Sequence, residues 1–149
     1  MSSQPILIVE DSADDALLME MALGEIGIGQ PIRTLRNGAE AIAYLAGTGQ
    51  FSDRDAFPLP MLVLLDLEMP IEGGVEVLRW LNEHSNIKTK LQIIVMSGTL
   101  RPSTAASLLE MGARSVFEKP LNYHQLCEKL QSLITECLGP GGQGPTTNP

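Results

Sequence analysis

Residues 61–65, Met-Leu-Val-Leu-Leu, form an unbroken apolar run, and Asp66 comes directly after it. A strand exposed on one face alternates apolar with polar residues. A run with no polar position is covered on both faces, as in a parallel sheet packed between helices. Pro70 then removes a backbone donor and stops the next segment from pairing. A carboxylate at the carboxyl end of such a strand lies in the crevice where open α/β sheets bind ligands. The same aspartate could instead be a turn residue or a helix N-cap, so the rest of the chain has to decide its role.

The remaining sequence repeats this pattern. Ile6-Leu7-Ile8-Val9 is a short branched run after Pro5 and ends in Glu10-Asp11. Ser12 can cap a helix there, with Asp14 and Asp15 complementing its positive start. Leu18, Met19, Ala22 and Ile26 recur along it at near-helical spacing, and Gly27 and Gly29 close it. Residues 31–35 read as a second, less apolar strand, followed by Asn37-Gly38 as turn and cap and a helix carrying Ala41, Ile42, Tyr44 and Leu45. Residues 47–60 are rich in Gly, Pro and polar side chains and suit a long surface loop. Beyond the central strand, Glu72-Gly73-Gly74 begins a helix with Val75, Val77, Leu78, Trp80 and Leu81, ending near His84-Ser85-Asn86.

Residues 91–96 make a fourth buried strand, closed by Ser97-Gly98-Thr99. Pro102 fits the first turn of a helix with Ala105, Leu108, Leu109 and Met111, which Gly112 ends. Ser115-Val116-Phe117 is a brief fifth strand before Lys119-Pro120. Asn122 caps a last helix with Leu126, Leu130, Leu133, Ile134 and Cys137 on its apolar side. Five βα units in series predict a doubly wound parallel sheet with helices on both faces. The folded domain is expected over residues 1–138. Residues 139–149 hold four glycines, three prolines and no large apolar residue, and are expected to form a flexible tail.

At 149 residues the chain has the size of one domain and needs no staples. Cys127 and Cys137 fall in one predicted helix, roughly 15 Å apart along its axis, too far for a disulfide and consistent with reduced thiols. No signal-peptide pattern or membrane-length apolar run occurs, so a soluble, cytoplasmic protein without membrane contact is expected. A net charge of −8 opposes direct binding to DNA.

The predicted strand ends gather Glu10, Asp11, Asp66, Ser97 and Lys119 from four separate segments. Any one of them has an ordinary explanation: Ser97 as a turn residue, Lys119 as a solvated lysine, the acids as helix-start complements. Together they describe a chemistry. Three convergent carboxylates repel one another unless a cation offsets them, and a hard oxygen-seeking ion such as Mg2+ suits that place. With the metal and Lys119 withdrawing charge from a phosphoryl group, Asp66 can act as nucleophile and form an aspartyl phosphate, with Ser97 donating to its oxygens. His84 and His124 lie outside the constellation and read as surface residues.

Val9-Glu10-Asp11, Leu65-Asp66-Leu67-Glu68-Met69-Pro70 with Gly74, Ser97-Gly98 and Lys119-Pro120 resemble the receiver domain of two-component response regulators, over residues 5–138. The resemblance implies a flavodoxin-like (βα)5 fold with strand order 2-1-3-4-5. It also implies a phosphoacceptor signalling protein rather than an enzyme. Asp66 would take phosphoryl from a sensor histidine kinase. Asp11, Asp66 and the Glu68 backbone carbonyl would hold Mg2+, or Mn2+ in its place, with Glu10 acting through water. Ser97 and Lys119 would contact the phosphoryl group. Glu68 and Thr99 stand where receivers vary to set aspartyl phosphate lifetime. The 47–60 insertion and the absence of an output domain look more like the small regulators paired with bacterial phytochromes, which points to such a kinase, and a homodimer is expected.

The chain departs from the pattern at Val116, where receivers usually carry an aromatic switch residue, and Phe117 should face the opposite side of the sheet. Gly73 replaces the more common Asp or Asn before Gly74. The competing reading is an Asp-nucleophile phosphatase of the haloacid dehalogenase type, whose nucleophile comes after the first strand rather than the third. A flavodoxin-like electron carrier would need a phosphate loop where Glu10 to Asp15 place acids.

Overall fold

The computed structural model describes residues 4–69 and 72–139. Pro70, expected to stop pairing after the central strand, and the expected flexible tail beyond Gly139 lie outside the described residues.

Five parallel strands form one sheet: β1 (Ile6–Val9), β2 (Ile32–Leu35), β3 (Leu62–Asp66), β4 (Gln92–Ser97) and β5 (Ser115–Glu118), in the order β2-β1-β3-β4-β5. This is the doubly wound order expected. Among the described residues six helices connect and cover them: α1 (Ala13–Glu25), α2 (Gly38–Ala46), α3 (Gly74–Asn82), α4 (Ser85–Lys88), α5 (Pro102–Glu110) and α6 (Tyr123–Leu138).

The unbroken apolar runs are explained by two cores, one on each face. Leu7, Val9, Val63, Leu65, Ile93 and Val95 point to the side of α2, α3 and α5. Ile6, Ile8, Leu62, Leu64, Ile94 and Met96 point to the side of α1 and α6. Each strand thus feeds alternate side chains to opposite layers, and each large side chain so buried contributes about 1.5–3 kcal/mol. β2 is an edge strand with three half-buried residues, hence its weaker apolar signal.

The caps fall where the sequence puts them. Ser12 accepts the Asp15 N–H, Asn37 the Glu40 N–H and Asn122 the Gln125 N–H, and Pro102 sits in the first turn of α5. α3 begins at Gly73 without a side-chain cap, the cost of having Gly where Asp or Asn is more usual.

Several expectations need correction. On α1 the buried positions are Ala16, Met19, Ala22 and Leu23, while Leu18 is exposed with Leu17 and Met21. On α5 only Leu108 is buried, and Leu109 faces outward. The third helix stops at Asn82, and a separate turn, α4, comes after it. Trp80 does not enter the core fully; its indole stacks on His84, whose Nδ1 lies 2.7 Å from the Trp80 carbonyl oxygen.

The 47–60 segment is also more than a surface loop. It carries a 3-10 turn, Gly49–Phe51, and buries Phe51 against Tyr44 and Phe57. The Arg54 guanidinium donates to the carbonyls of Tyr44 (2.6 Å), Leu45 (2.5 Å) and Phe57 (3.2 Å), capping the end of α2. Gly47 makes this possible: its φ of +72° ends the helix, and a Cβ there would lie 2.8 Å from Arg54 Nε.

Candidate functional site

The sheet order sets β1, β3, β4 and β5 side by side, so the residues at their carboxyl ends land on one rim. Val9 pairs with Leu65, Asp66 with Met96 and Ser97 with Glu118. Glu10, Asp66, Ser97 and Lys119 therefore come together, with the Lys119 N–H donating to the Ser97 carbonyl at 2.8 Å. Glu10, Asp66 and Ser97 are the buried polar residues among those described, each no more than 2 % exposed. Polar groups are not left in such places without partners.

Glu10, Asp11 and Asp66 present carboxylate oxygens that all lie within 4.8 Å of one another. Lys119 Nζ answers part of this charge, 2.8 Å from Glu10, 3.2 Å from Asp15 and 3.5 Å from Asp66. Glu10 also accepts the Ser12 N–H, and Asp66 Oδ1 accepts the Glu68 N–H at 3.2 Å.

One lysine does not balance the cluster. Burial first, then a shared proton and like charge with Glu10, push the Asp66 carboxyl up to about 7 against the opposing pull of Lys119 and the Glu68 N–H. For Lys119, burial works against the ammonium, but the hydrogen bond to Glu10 and the charges of Asp66 and Glu10 outweigh it and raise its pKa. An all-oxygen donor set with excess negative charge in a partly water-excluded crevice fits a hard divalent cation.

Ser97 is fully buried, and its hydroxyl lies 2.5 Å from Glu68 Oε2 and 2.8 Å from the Thr99 carbonyl oxygen. The Thr99 N–H donates back to Ser97 Oγ at 3.3 Å. The loop after β4 is tied across by the Leu100 N–H, which donates to Glu118. Val116 packs into the α2/α3/α5 core while Phe117 is buried in the opposite one, so Phe117 does not stand in for the missing aromatic. His84 and His124 are away from the rim; His124 pairs with Glu128 on exposed α6 surface.

Two features were missed in the sequence. Asp15 reads there only as a complement to the α1 dipole, yet it reaches Lys119. Glu68 enters there through its backbone carbonyl and as a position that sets product lifetime, but not as a carboxylate that bridges to β4. The signal for Asp15 lay in its place one helical turn beyond Asp11. For Glu68 no local signal existed.

The chain is similar to known proteins in sequence and in fold. Residues 6–131 match the family model described as response regulator receiver domain. Response regulator Rcp1 of Synechocystis is 28% identical over 128 residues, covering 86% of this chain and 84% of Rcp1. A structure of Rcp1 in its Mn2+-bound form aligns with a TM-score of 0.77 at 27% identity, over 89% of this chain and 92% of that one. Response regulator RPA3017 in red light signaling of R. palustris aligns with a TM-score of 0.84 at 27% identity, covering 97% and 99% of the two chains. The phosphorylated cyanobacterial phytochrome response regulator RcpA gives 0.81 at 26% identity, over 92% and 95%.

Proposed function

The chain belongs to the response regulator receiver domain family, and from that premise we propose that Asp66 is the phosphoacceptor of a Mg2+-dependent phosphorelay, charged by a sensor histidine kinase. One observation carries this reading: a buried carboxylate at the end of the central strand, with an ammonium 3.5 Å away and two further carboxylates beside it. As a family, receivers are signalling domains rather than classical enzymes. The phosphatase alternative loses its footing, since the nucleophile candidate here ends the third strand.

In the proposed transfer, an Asp66 oxygen attacks phosphorus while the P–N bond to the donor imidazole breaks, and the departing nitrogen keeps the electron pair and takes a proton. Lys119 offsets charge on the phosphoryl oxygens, and Ser97 donates its hydroxyl to one of them. Asp11, Asp66 and the Glu68 carbonyl would hold Mg2+, with Glu10 through water. When bound, the ion neutralises charge on the carboxylates and the incoming phosphoryl group. Thr99 and Glu68 are assigned to product lifetime, and Val116 implies a switch without the usual aromatic rotation.

A protein phosphodonor is supported by the surroundings. Leu17, Leu18 and Met21 are exposed on α1, and Leu121 is fully exposed just past Lys119. Asp15, Leu18, Lys119 and Pro120 line one small cavity of about 60 Å³. The relatives named for phytochromes support a bacterial phytochrome as the kinase. A homodimer, a cytoplasmic location and no direct contact with DNA complete the proposal. The last rests on the net charge of −8, and no helix among the described residues is long and apolar enough to cross a membrane.

The test is phosphotransfer. With Mg2+ and a small acyl phosphate, or a phosphorylated kinase, intact-protein mass spectrometry should show one added phosphoryl group that is lost in Asp66→Asn. Failure to label with either donor would sink the reading.

A further inference from the structure

Glu68 leaves the end of β3 and returns its carboxylate to the end of β4. Oε2 accepts the Ser97 hydroxyl at 2.5 Å, and Oε1 accepts the Gly98 N–H at 3.1 Å. Two oxygens of one anionic centre, facing a hydroxyl and the next backbone amide, satisfy the donors that a phosphoryl group on Asp66 would need. Ser97 has a single hydroxyl proton, for which the Thr99 carbonyl oxygen at 2.8 Å is the other acceptor, and it is fully buried, so it cannot serve a second anion or turn to water. Glu68, in contrast, is exposed, and solvent can take its carboxylate. Its own N–H donates to Asp66 at 3.2 Å, so one residue steadies the phosphoacceptor and fills the neighbouring donor pair.

We infer that the Glu68 carboxylate is an internal stand-in for the phosphoryl group. It occupies the Ser97 hydroxyl and the Gly98 amide in the unphosphorylated protein and gives them up as phosphate arrives on Asp66. The inference rests on the phosphoacceptor reading above. It makes Glu68 a positioning residue that slows entry of the phosphoryl group, because anion must be exchanged for anion. It also supplies a motion for the switch, since the link from the β3 loop to the β4 loop breaks on phosphorylation. A role through bulk charge alone, by repelling the phosphodonor, predicts something different: it would not depend on Ser97.

The full chain is labelled with acetyl phosphate and Mg2+, in which the P–O bond breaks and acetate leaves with its electron pair. Glu68→Ala should label about tenfold faster than wild type, the size expected from removing one charge-assisted competitor. Glu68→Gln, which keeps one acceptor oxygen, should fall between the two. In a Ser97→Ala background, removing Glu68 should accelerate labelling far less, because the contested hydroxyl is gone. Independently of labelling, the Gly98 amide resonance should shift in Glu68→Ala without any donor present.

An unchanged rate in Glu68→Ala, an equal acceleration in both backgrounds, or an unmoved Gly98 resonance would each overturn the inference. If no form labels at all, the phosphoacceptor reading fails, and the competition falls with it.

Discussion

Arg54 and Lys119 are both cations held among oxygens, but their surroundings differ in kind. Arg54 meets three backbone carbonyls, none of which is charged or titrates, and closes the end of α2 under an aromatic cluster. Lys119 meets three carboxylates, and of these Asp66 is pushed up to about 7, by burial first and then by its hydrogen bond and like charge with Glu10. The first arrangement is saturated and serves the fold. The second carries surplus charge, and such a site is poised for a cation or a phosphoryl group. Satisfaction of the partners, rather than burial or charge alone, separates the saturated cluster from the one that carries surplus charge.

Four substitutions or conditions can break that comparison. The largest effect is expected at Lys119: Lys119→Ala should slow acyl phosphate labelling of Asp66 by about a hundredfold or more, read by timed mass spectrometry. Arg54→Ala should leave the labelling rate unchanged. If both variants labelled equally well, the distinction between the clusters would collapse.

Next comes pH. Asp66 holds its proton to about pH 7 in the fold but only to about 3.9 when unfolded. Between those values the native state binds more protons, so this group makes stability fall as pH rises, levelling off above 7. With chelator present, denaturant melts of wild type should lose about 2–4 kcal/mol between pH 4 and pH 8 relative to Asp66→Asn. Excess divalent cation at pH 8 should close the gap. A parallel pH course for the two proteins would mean that Asp66 is not under strain.

On the structural side, Arg54→Ala should cost about 2–3 kcal/mol in the same melts at any pH in that range, since it strands carbonyls that accept from a charged donor. The smallest effect is expected for Gly47→Ala, about 1–2 kcal/mol from the left-handed backbone, and it should add less than fully to Arg54→Ala because the new Cβ would press on the guanidinium. Full additivity would show that the two positions do not share one cap.

Much of the site was legible because strand ends are local features. Asp66 and Ser97 each terminate a run whose apolar continuity announces burial, Glu10 comes directly after such a run, and Lys119 comes after the brief strand Ser115–Glu118. The caps Ser12, Asn37 and Asn122 were legible for the same reason. The outward turn of Leu18 and Leu109 was not. Periodicity names a helix but cannot choose between neighbouring stripes until the facing layer is present. Nor could composition reveal that Phe51 and Arg54 fold the 47–60 segment inward, since Gly, Pro and polar residues look alike in open and packed loops.

By itself the sequence determined the five βα units, the sheet they build and which side chains arrive on its carboxyl rim, because burial on both faces is written into consecutive residues. Tertiary structure alone decided how those side chains divide the rim's donors and acceptors. Lys119 meets Glu10 across 109 positions of chain, and Glu68 meets Ser97 across 29. The physical reason is that a hydrogen bond is settled by what competes for it. Asp15 competes for the lysine, and Glu68 holds the serine and the glycine amide, through contacts that exist only once four strands have been laid side by side.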